Sequence, residues 1–292
     1  MSDFSLNNVL VIGAGTMGKG IAQWFAQQNC HVTLFDLNQP LLEKTHQDIL
    51  NSWEKLLQKG KFSKHEVKDF KTKIQIQKNL KNINKENIQL VVEAIIEKIE
   101  AKKELFDYLD KSLPDNVAFS SNTSSFPIKS LSEHLPNSRK KIFLGLHFFN
   151  PAPIMKLVEI IKSDMTENSL VQNLKTWFEK NGKRPAICQD RPGFIVNRVA
   201  RNFYGEPLRI LNTAEEKKIK EIDSILKEVG GFKMGPFELM DLIGIDVNLD
   251  VTKSVWNAFN QEERFAPHKV QEELVERGLL GKKSKEGFYK YE

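Results

Sequence analysis

The stretch that decides the fold runs from Asn7 to Asp36 and reads NNVLVIGAGTMGKGIAQWFAQQNCHVTLFD. Its early run VLVI is apolar and rich in β-branched residues, which is typical of a short buried strand. Glycines then interrupt the chain, and GKGIAQWFAQQN carries apolar residues at helical spacing. A second apolar run, HVTLF, ends in an acid. The order of strand, glycine turn, helix and strand predicts the first unit of a parallel α/β sheet.

The glycine turn fits the pattern G-x-G-x-x-G with Gly13, Ala14, Gly15, Thr16, Met17 and Gly18. In this context Gly13 allows a tight turn, Gly15 admits a pyrophosphate close to the backbone, and Gly18 lets the helix pack against the strand. The helix N-terminus offers N–H groups and the positive end of its dipole. Asp36 can accept hydrogen bonds from ribose hydroxyls and would repel a 2′-phosphate. The pattern therefore predicts a dinucleotide site that prefers NAD to NADP.

Strand and helix patterns continue to alternate after Asp36. QLVVEAII (89–96) is a continuous apolar run of the buried parallel-strand type, and VAFSSN and KIFLGLHF are further strand candidates. Residues 41–59 and the lysine-rich stretch 60–79 are interpreted as the two helices of a projecting hairpin. These patterns predict an α/β fold with a Rossmann-type, doubly wound sheet.

The pattern changes after Arg191-Pro192-Gly193, because only helical periodicity follows up to about Leu280. We therefore expect an NAD-binding Rossmann domain over residues 1–190 and an all-α domain over residues 191–292. The length of 292 residues is compatible with two such domains.

Composition is ordinary for a globular protein, with 40% hydrophobic and 28% charged residues. No apolar run approaches the ~20 residues that a membrane-spanning helix needs. The opening MSDFSLNN has no leader pattern, so a cytoplasmic location is expected. The two cysteines, Cys30 and Cys188, are far apart in the sequence, and neither a disulfide framework nor a metal site is predicted.

Positive charge is concentrated in one segment, which holds eight lysines between Lys55 and Lys78. One interpretation is a solvated helical face, and the other is attraction of a polyanionic ligand. Nucleic acid is not the expected ligand, because the segment has little aromatic interleaving and no recognised binding motif.

The stretch GLHFFNPAPIMKLVEII (145–161) places His147 and Glu159 in two apolar runs around a proline-containing turn. A buried carboxylate is costly unless it is paired. If the two runs are antiparallel strands whose register pairs residue 147 with residue 159, their Cβ atoms lie about 4.5–5.5 Å apart. The carboxylate would then fix the tautomer of the imidazole and stabilise its protonated form. His147 is thus a candidate general base, and a satisfied core histidine is the alternative.

Seven segments in order resemble the short-chain L-3-hydroxyacyl-CoA dehydrogenases over nearly the whole chain. They are VIGAGTMGKGIA, VVEAIIEKIEAKKELF, SSNTSS, GLHFFNPAPIMKLVEII, RPGFIVNR, MGPFELMDLIG and LGKKSKEGFYKY. The resemblance implies that His147 takes the proton of the substrate 3-hydroxyl while hydride passes to the nicotinamide, and that Glu159 orients and charges His147. It also implies that Ser124 and Asn197 hydrogen-bond the reacting substrate or its thioester. From the residues alone, Ser124 is equally well a helix N-cap and Asn197 a surface polar residue.

The same resemblance implies further contacts to the cofactor, by Glu97, Lys102, Ser124, Asn150 and Lys283. Lys285 stands where the family more often has glycine. Since the family binds coenzyme A along helices that correspond to the lysine-rich hairpin, Lys61 and Lys68 are candidate contacts to the coenzyme A phosphates.

The implied reaction is the reversible, NAD-dependent oxidation of a short-chain (S)-3-hydroxyacyl-CoA, with 3-hydroxybutyryl-CoA as the first candidate. NRVARNFYGEPLRIL and IGIDVNLDVTKSVWNAF also resemble the dehydrogenases of phenylacetate breakdown, which act on 3-hydroxyadipyl-CoA and are commonly longer. A homodimer through the helical domain is expected. The other hypotheses are a dehydrogenase for a free hydroxy acid or sugar acid, and a non-catalytic NAD-binding structural protein.

Overall fold

An eight-stranded sheet forms the centre of the N-terminal part of the computed structural model, which describes residues 4–211 and 213–292. In chain order the strands are β1 (Asn8–Ile12), β2 (His31–Phe35), β3 (Ile74–Ile76), β4 (Leu90–Glu93), β5 (Ala118–Ser121), β6 (Phe143–Phe148), β7 (Leu157–Lys162) and β8 (Arg184–Gln189). Their order in the sheet is β3-β2-β1-β4-β5-β6-β7-β8. The first six strands are parallel, β7 is antiparallel to β6, and β8 is parallel to β7. This is the doubly wound Rossmann arrangement that the sequence predicts.

Seven described helices accompany the sheet. They are α1 (Thr16–Gln27), α2 (Gln39–Gln58), α3 (Lys64–Thr72), α4 (Ile99–Ser112), α5 (Ile128–Ser132), α6 (Asn137–Lys141) and α7 (Asn168–Lys180). Helix α1 buries Ile21, Trp24 and Phe25 in the main apolar core. The ring of Phe178 on α7 stacks on Trp24 at 5.5 Å between centroids, so aromatic contacts join these two helices.

The lysine-rich segment is only partly helical, which corrects the expectation of a helix over 60–79. Helix α3 begins after a capping box in which Ser63 and Glu66 bond each other's backbone N–H groups. The following Ile74–Ile76 forms the edge strand β3, whose β-branched residues suit a strand. Helices α2 and α3 form the expected hairpin, in which Phe70 packs against Trp53 and Phe62.

The chain divides into an N-terminal unit, Met1–Arg191, and a C-terminal unit, Pro192–Glu292. The C-terminal unit is helical, with α8 (Val196–Ile210), α9 (Glu216–Glu228), α10 (Pro236–Ile243), α11 (Ile245–Ala258) and α12 (Lys269–Glu276). Its own core includes Leu208, Phe237 and Met240. Within residues 4–211 and 213–292, no helix combines the length and the apolar character that crossing a bilayer would need.

Candidate active site

A cleft of about 990 Å³ lies where strands β1, β2 and β4 reach their carboxyl ends. Its walls include Gly13 after β1, Asp36 after β2, and Ala94 and Ile95 after β4. The sequential order of the strands reverses at β1, and open α/β sheets bind ligands at such a switch point. The cleft is therefore the expected place for a nucleotide.

The glycines of the turn have the geometry that a dinucleotide needs. Gly13 has φ +107°, and a Cβ atom added there would lie 2.4 Å from the carbonyl oxygen of Ala94. A Cβ atom on Gly18 would lie 1.8 Å from the carbonyl oxygen of Gly13, so only glycine lets α1 pack this closely. At Gly15, by contrast, nothing lies within 4 Å of an added Cβ. This open space beside the first turn of α1, where Thr16 and Met17 line the cleft, fits a pyrophosphate.

Asp36 is half-buried at the edge of the cleft. Its Oδ2 accepts a hydrogen bond from the Ala14 N–H at 2.7 Å, and its Oδ1 accepts one from the Asn38 N–H at 2.8 Å. These bonds fix the carboxylate, and each oxygen keeps a lone pair for a further donor. The residues present thus fit NAD: Asp36 would hold ribose hydroxyls and the glycine turn the pyrophosphate.

His147 and Glu159 face each other across the antiparallel pair of β6 and β7, in the register that the twelve-residue spacing requires. His147 Nδ1 lies 2.6 Å from Glu159 Oε2, and Glu159 is fully buried. His147 is 7% exposed, near the carboxyl end of β6. Because Nδ1 is bonded to the carboxylate, Nε2 is the ring nitrogen that can exchange a proton with a substrate.

A second fully buried carboxylate, Glu93, ends strand β4. Its Oε1 accepts hydrogen bonds from Lys102 Nζ at 2.5 Å and from the Ile95 N–H at 2.7 Å. Its Oε2 accepts one from the hydroxyl of Ser121. Lys102 is 1% exposed, so this cation is enclosed by the protein rather than presented at the cleft. Lys102 thus fixes the side chain of Glu93 at the end of β4, and this structural role is separate from the predicted contact to a cofactor.

Glu97 links this pair to the loop that contains Ser124. Its Oε2 lies 3.2 Å from Lys102 Nζ, and its Oε1 accepts hydrogen bonds from the Thr123 hydroxyl, the Ser124 N–H and the Ser125 hydroxyl. Burial raises the pKa of Glu97, but attraction to Lys102 and these hydroxyl bonds outweigh it and lower the pKa below its ordinary value. Glu97 is therefore an anion at neutral pH, and it fixes the backbone of Ser124.

Ser124 is not a helix N-cap, which removes one interpretation of this residue. Helix α5 begins only at Ile128, and its first N–H groups, from Ile128 and Lys129, donate to the carboxylate of Asp190. Ser124 is half-buried in the loop after β5. Asn150 is exposed in the turn after β6. Both residues thus follow parallel strands at the edge of the sheet that holds the cleft.

The remaining predicted residues belong to the C-terminal unit or to the lysine-rich hairpin. Asn197 is half-buried in the first turn of α8, and Lys283 Nζ pairs with Asp246 at 2.5 Å, both within the C-terminal unit. Lys61 and Lys68 are exposed on the lysine-rich hairpin, and no ion pair among the described residues includes either of them. Their ammonium groups are therefore accessible to a phosphate.

Glu93 and Lys183 are not among the residues that the sequence predicts for the site. Lys183 Nζ donates to the carbonyl oxygens of Ala152 and Met155 and lies 4.6 Å from the ring centroid of Trp24, so it ties down the turn between β6 and β7. Burial lowers the pKa of Lys183 to about 8. The acid at the end of the apolar run QLVVE was a usable signal for Glu93, because it stands at the carboxyl end of a buried strand. Nothing in the sequence around Lys183 indicates that it is buried.

Comparison with known proteins adds an independent line of evidence. The NAD-binding-domain model of 3-hydroxyacyl-CoA dehydrogenase matches residues 8–191, and the C-terminal-domain model of the same enzyme matches residues 193–291. The 3-hydroxyadipyl-CoA dehydrogenase of Escherichia coli is 41% identical over 98% of this chain and 59% of its own length. The mitochondrial hydroxyacyl-coenzyme A dehydrogenase of Sus scrofa is 37% identical over 98% of this chain and 91% of its own length.

A solved structure of 3-hydroxybutyryl-CoA dehydrogenase from Escherichia coli K12 superposes with a TM-score of 0.92 at 40% identity, covering 99% of this chain and 60% of that one. The chain thus spans about three fifths of the length of each Escherichia coli match and about nine tenths of the length of the mammalian one. The glycine turn and the cleft both indicate a dinucleotide-binding domain, and the domain match over residues 8–191 indicates the same. The chain belongs to the 3-hydroxyacyl-CoA dehydrogenase family, and its N-terminal unit is the NAD-binding domain of that family.

Proposed function

We propose that the protein catalyses the reversible, NAD-dependent oxidation of a short-chain (S)-3-hydroxyacyl-CoA to the 3-oxoacyl-CoA. The observation that carries the proposal is the buried pair of His147 and Glu159, with Nδ1 and Oε2 2.6 Å apart. The same chain has a cleft whose residues fit a dinucleotide. His147 Nε2 takes the proton of the substrate 3-hydroxyl, and Glu159 holds the proton on Nδ1 and keeps the ring oriented. When bound, NAD⁺ supplies the hydride acceptor for C3.

Two polar side chains bind the reacting end of the substrate in this proposal. The hydroxyl of Ser124 donates to the substrate oxygen or the thioester, and its backbone is held by Glu97, at 3.1 Å from the Ser124 N–H. Asn197, at the start of α8, is the second donor. Glu97, Lys102, Asn150 and Lys283 complete the proposed cofactor contacts. Lys102 acts through Glu93 and Glu97, since its ammonium group is enclosed between them.

The coenzyme A part of the substrate binds the lysine-rich hairpin in this proposal. Lys61 and Lys68 are exposed, whereas Lys71 pairs with Glu54 and Lys78 pairs with Glu43. Both ammonium groups are thus available for the pyrophosphate and the 3′-phosphate of coenzyme A.

Two acyl chains are candidates. The first is the unsubstituted four-carbon chain of 3-hydroxybutyryl-CoA. The solved structure that superposes with a TM-score of 0.92 carries the name of a dehydrogenase for this substrate. The second is the dicarboxylic chain of 3-hydroxyadipyl-CoA, the substrate in the name of the relative that is 41% identical.

The C-terminal unit is proposed to serve substrate binding and homodimerisation, in an enzyme of the cytoplasm. Its exposed apolar residues Ile225, Val229 and Phe232 lie at and after the end of α9. Such a patch is more costly in water than against a second protomer. Sedimentation of the purified protein should give twice the mass of the chain, and a concentration-independent monomer would contradict this assignment.

The proposed reaction is tested by following NADH consumption with acetoacetyl-CoA, 3-oxoadipyl-CoA and free acetoacetate, beside NADPH as the rival cofactor. The expected result is turnover of at least one thioester with NADH and none of acetoacetate. Equal turnover of acetoacetate would instead support a dehydrogenase for free hydroxy acids. Tight binding of NADH without turnover of any thioester would support a non-catalytic NAD-binding protein.

A further inference from the structure

Helix α8 of the C-terminal unit buries an arginine that no part of the proposed mechanism uses. Arg201 is 5% exposed. Its Nη1 donates to the carbonyl oxygen of Asn248 at 2.9 Å and to Thr252 Oγ1 at 2.7 Å, and its Nε donates to the carbonyl oxygen of Asn197 at 3.1 Å. All three acceptors are neutral.

The guanidinium has no counterion within the part of the chain that the structure describes, since none of the ion pairs there includes Arg201. Burial lowers the pKa of Arg201 to about 10, so the side chain remains a cation at neutral pH. Its other close neighbour is the ring of Tyr204, 5.0 Å from the guanidinium carbon to the ring centroid. An enclosed charge without a counterion is costly, and a bound anion would lower that cost further than neutral acceptors do.

Asn248 supplies a second, independent sign of a missing acceptor. It is 2% exposed, and its Oδ1 accepts a hydrogen bond from Gln271 Nε2 at 3.0 Å. Its Nδ2 is buried and has no hydrogen-bond partner among residues 4–211 and 213–292. Buried donors of this kind are uncommon in folded proteins. The cluster of Arg201, Asn248 and Gln271 therefore has more donors than acceptors.

We propose that Arg201 and Asn248 bind the distal carboxylate of a dicarboxylic 3-hydroxyacyl-CoA, which makes them specificity-determining residues; this rests on the reaction proposed above. A carboxylate supplies both the negative charge and the acceptors that the cluster lacks, and the planar guanidinium can bind it through two parallel hydrogen bonds.

The spacing along α8 agrees with this assignment. Arg201 follows the proposed substrate contact Asn197 by four residues, so the two lie on one face of the helix, about 6 Å apart along its axis. This is comparable with the distance between the two carboxyl carbons of an extended six-carbon diacid. One end of such an acyl chain at Asn197 thus brings the other end to Arg201.

The carboxylate displaces contacts that the free protein makes. The cleft beside Arg201, Thr252 and Gln271 measures about 10 Å³, the space of roughly one water molecule. On binding, Arg201 Nη1 exchanges its bonds to Thr252 and Asn248 for bonds to the carboxylate.

The test compares two thioesters of equal chain length, 3-oxoadipyl-CoA and 3-oxohexanoyl-CoA, which differ in the terminal carboxylate. We expect the wild-type protein to prefer 3-oxoadipyl-CoA in kcat/KM by about tenfold or more. Arg201→Met should lower kcat/KM about 100-fold for 3-oxoadipyl-CoA, mainly through KM, and less than threefold for 3-oxohexanoyl-CoA. Arg201→Lys should retain part of the preference, because it keeps the charge without the planar fork.

The matched control is Arg209→Met on the same helix, since Arg209 is more exposed and pairs with Glu206. It should leave the ratio of the two substrates unchanged. A wild-type protein that turns over both thioesters without preference overturns the assignment, whether or not the variants fold. So does an Arg201→Met variant that loses both activities equally or changes only its oligomeric state. Turnover of acetoacetyl-CoA but of neither six-carbon thioester overturns this inference alone, whereas absence of turnover with all three overturns the proposed function as well.

Discussion

Two fully buried carboxylates of the N-terminal unit, Glu159 and Glu93, differ in the group that neutralises them. Glu159 bonds the imidazole of His147, a neutral base when it carries a single ring proton. Glu93 bonds the ammonium group of Lys102, with further donors from a backbone N–H and a hydroxyl. The pair of Glu159 and His147 is suited to transferring a proton. The pair of Glu93 and Lys102 is suited only to a structural role.

The two sites also differ in what they support. The pair of His147 and Glu159 lies within one antiparallel hairpin, so it needs only the local register of β6 and β7. The pair of Glu93 and Lys102 joins a strand to the following helix and, through Glu97, fixes the loop at Ser124. Removal of one site should therefore damage the chemistry, and removal of the other should damage the scaffold.

The largest expected effect is on turnover, in His147→Gln. Loss of the proposed general base should lower kcat about 10³-fold, because proton transfer by a positioned side chain contributes that much to rate. NADH affinity, measured by fluorescence titration, should stay within about threefold of the wild-type value. His134→Gln, at an exposed histidine paired with Asp107, is the control and should keep full activity. Near-normal turnover in His147→Gln would show that this pair is only structural.

The next effect is on stability, in Lys102→Met. Breaking the pair leaves Glu93 buried without its cation and should lower the free energy of unfolding of the N-terminal unit by about 3 kcal/mol. Urea denaturation followed by tryptophan fluorescence measures this, since Trp24, Trp53 and Trp177 lie in that unit.

Two further variants decide whether the buried charge is the cause. Lys103→Met, at the neighbouring and more exposed lysine, should change stability by less than about 0.5 kcal/mol. The double variant Glu93→Gln/Lys102→Met should be more stable than Lys102→Met, because it removes the unpaired carboxylate. If the double variant were less stable than the single one, the scaffold role assigned to the charge pair would be wrong.

A smaller effect is expected at Asp36, a half-buried carboxylate that uses only backbone donors. Asp36→Ala should raise the KM for NADH about tenfold, since it removes a hydrogen bond to a ribose hydroxyl. It should also reduce the discrimination against NADPH, because the charge that repels a 2′-phosphate is gone. Initial rates with both cofactors measure the change. An unchanged ratio of NADH to NADPH activity would mean that Asp36 does not select the cofactor.

The contrast between the hairpin and the β4–α4 junction also explains what sequence could predict. The pairing of residues 147 and 159 is one register that strand alternation around a single turn allows, and the structure has that register. The glycine turn with Asp36 follows from a local strand–helix–strand order. The pairing of Glu93 with Lys102 depends on where helix α4 packs after strand β4, and no short sequence pattern specifies that position. Strand β3 was missed for a related reason, because its three residues are stabilised by pairing with β2 rather than by their own periodicity.

A third buried carboxylate, Asp241 in the C-terminal unit, has neither a base nor a cation as its partner among the residues that the structure describes. It accepts hydrogen bonds from the backbone N–H groups of Phe288 and Tyr289 and from the hydroxyl of Tyr291, and so holds the C-terminal tail. Burial raises the pKa of Asp241 although these donors oppose the shift. The tail held in this way contains Lys285, at the position where the family resemblance leads us to expect glycine.

The smallest effect is expected at Lys285, because Asp241 forces the tail into a fixed path whatever residue stands there. Lys285 has φ +64°, a left-handed conformation that costs a residue with a side chain about 1 kcal/mol. Lys285→Gly should therefore slow the opening of the tail, by a net ~0.5 kcal/mol after the greater freedom of glycine in the open state is subtracted. Hydrogen exchange at the Tyr291 N–H, which donates to the Lys285 carbonyl at 2.9 Å, measures this opening. Lys282→Gly also removes a charge from this turn, at a residue that has no positive φ and whose ammonium group lies 5.4 Å from the ring centroid of Tyr291, and it should speed exchange instead. Faster exchange in both variants would mean that the tail gains nothing from glycine, and that its path depends on the side chain of Lys285 as well as on Asp241.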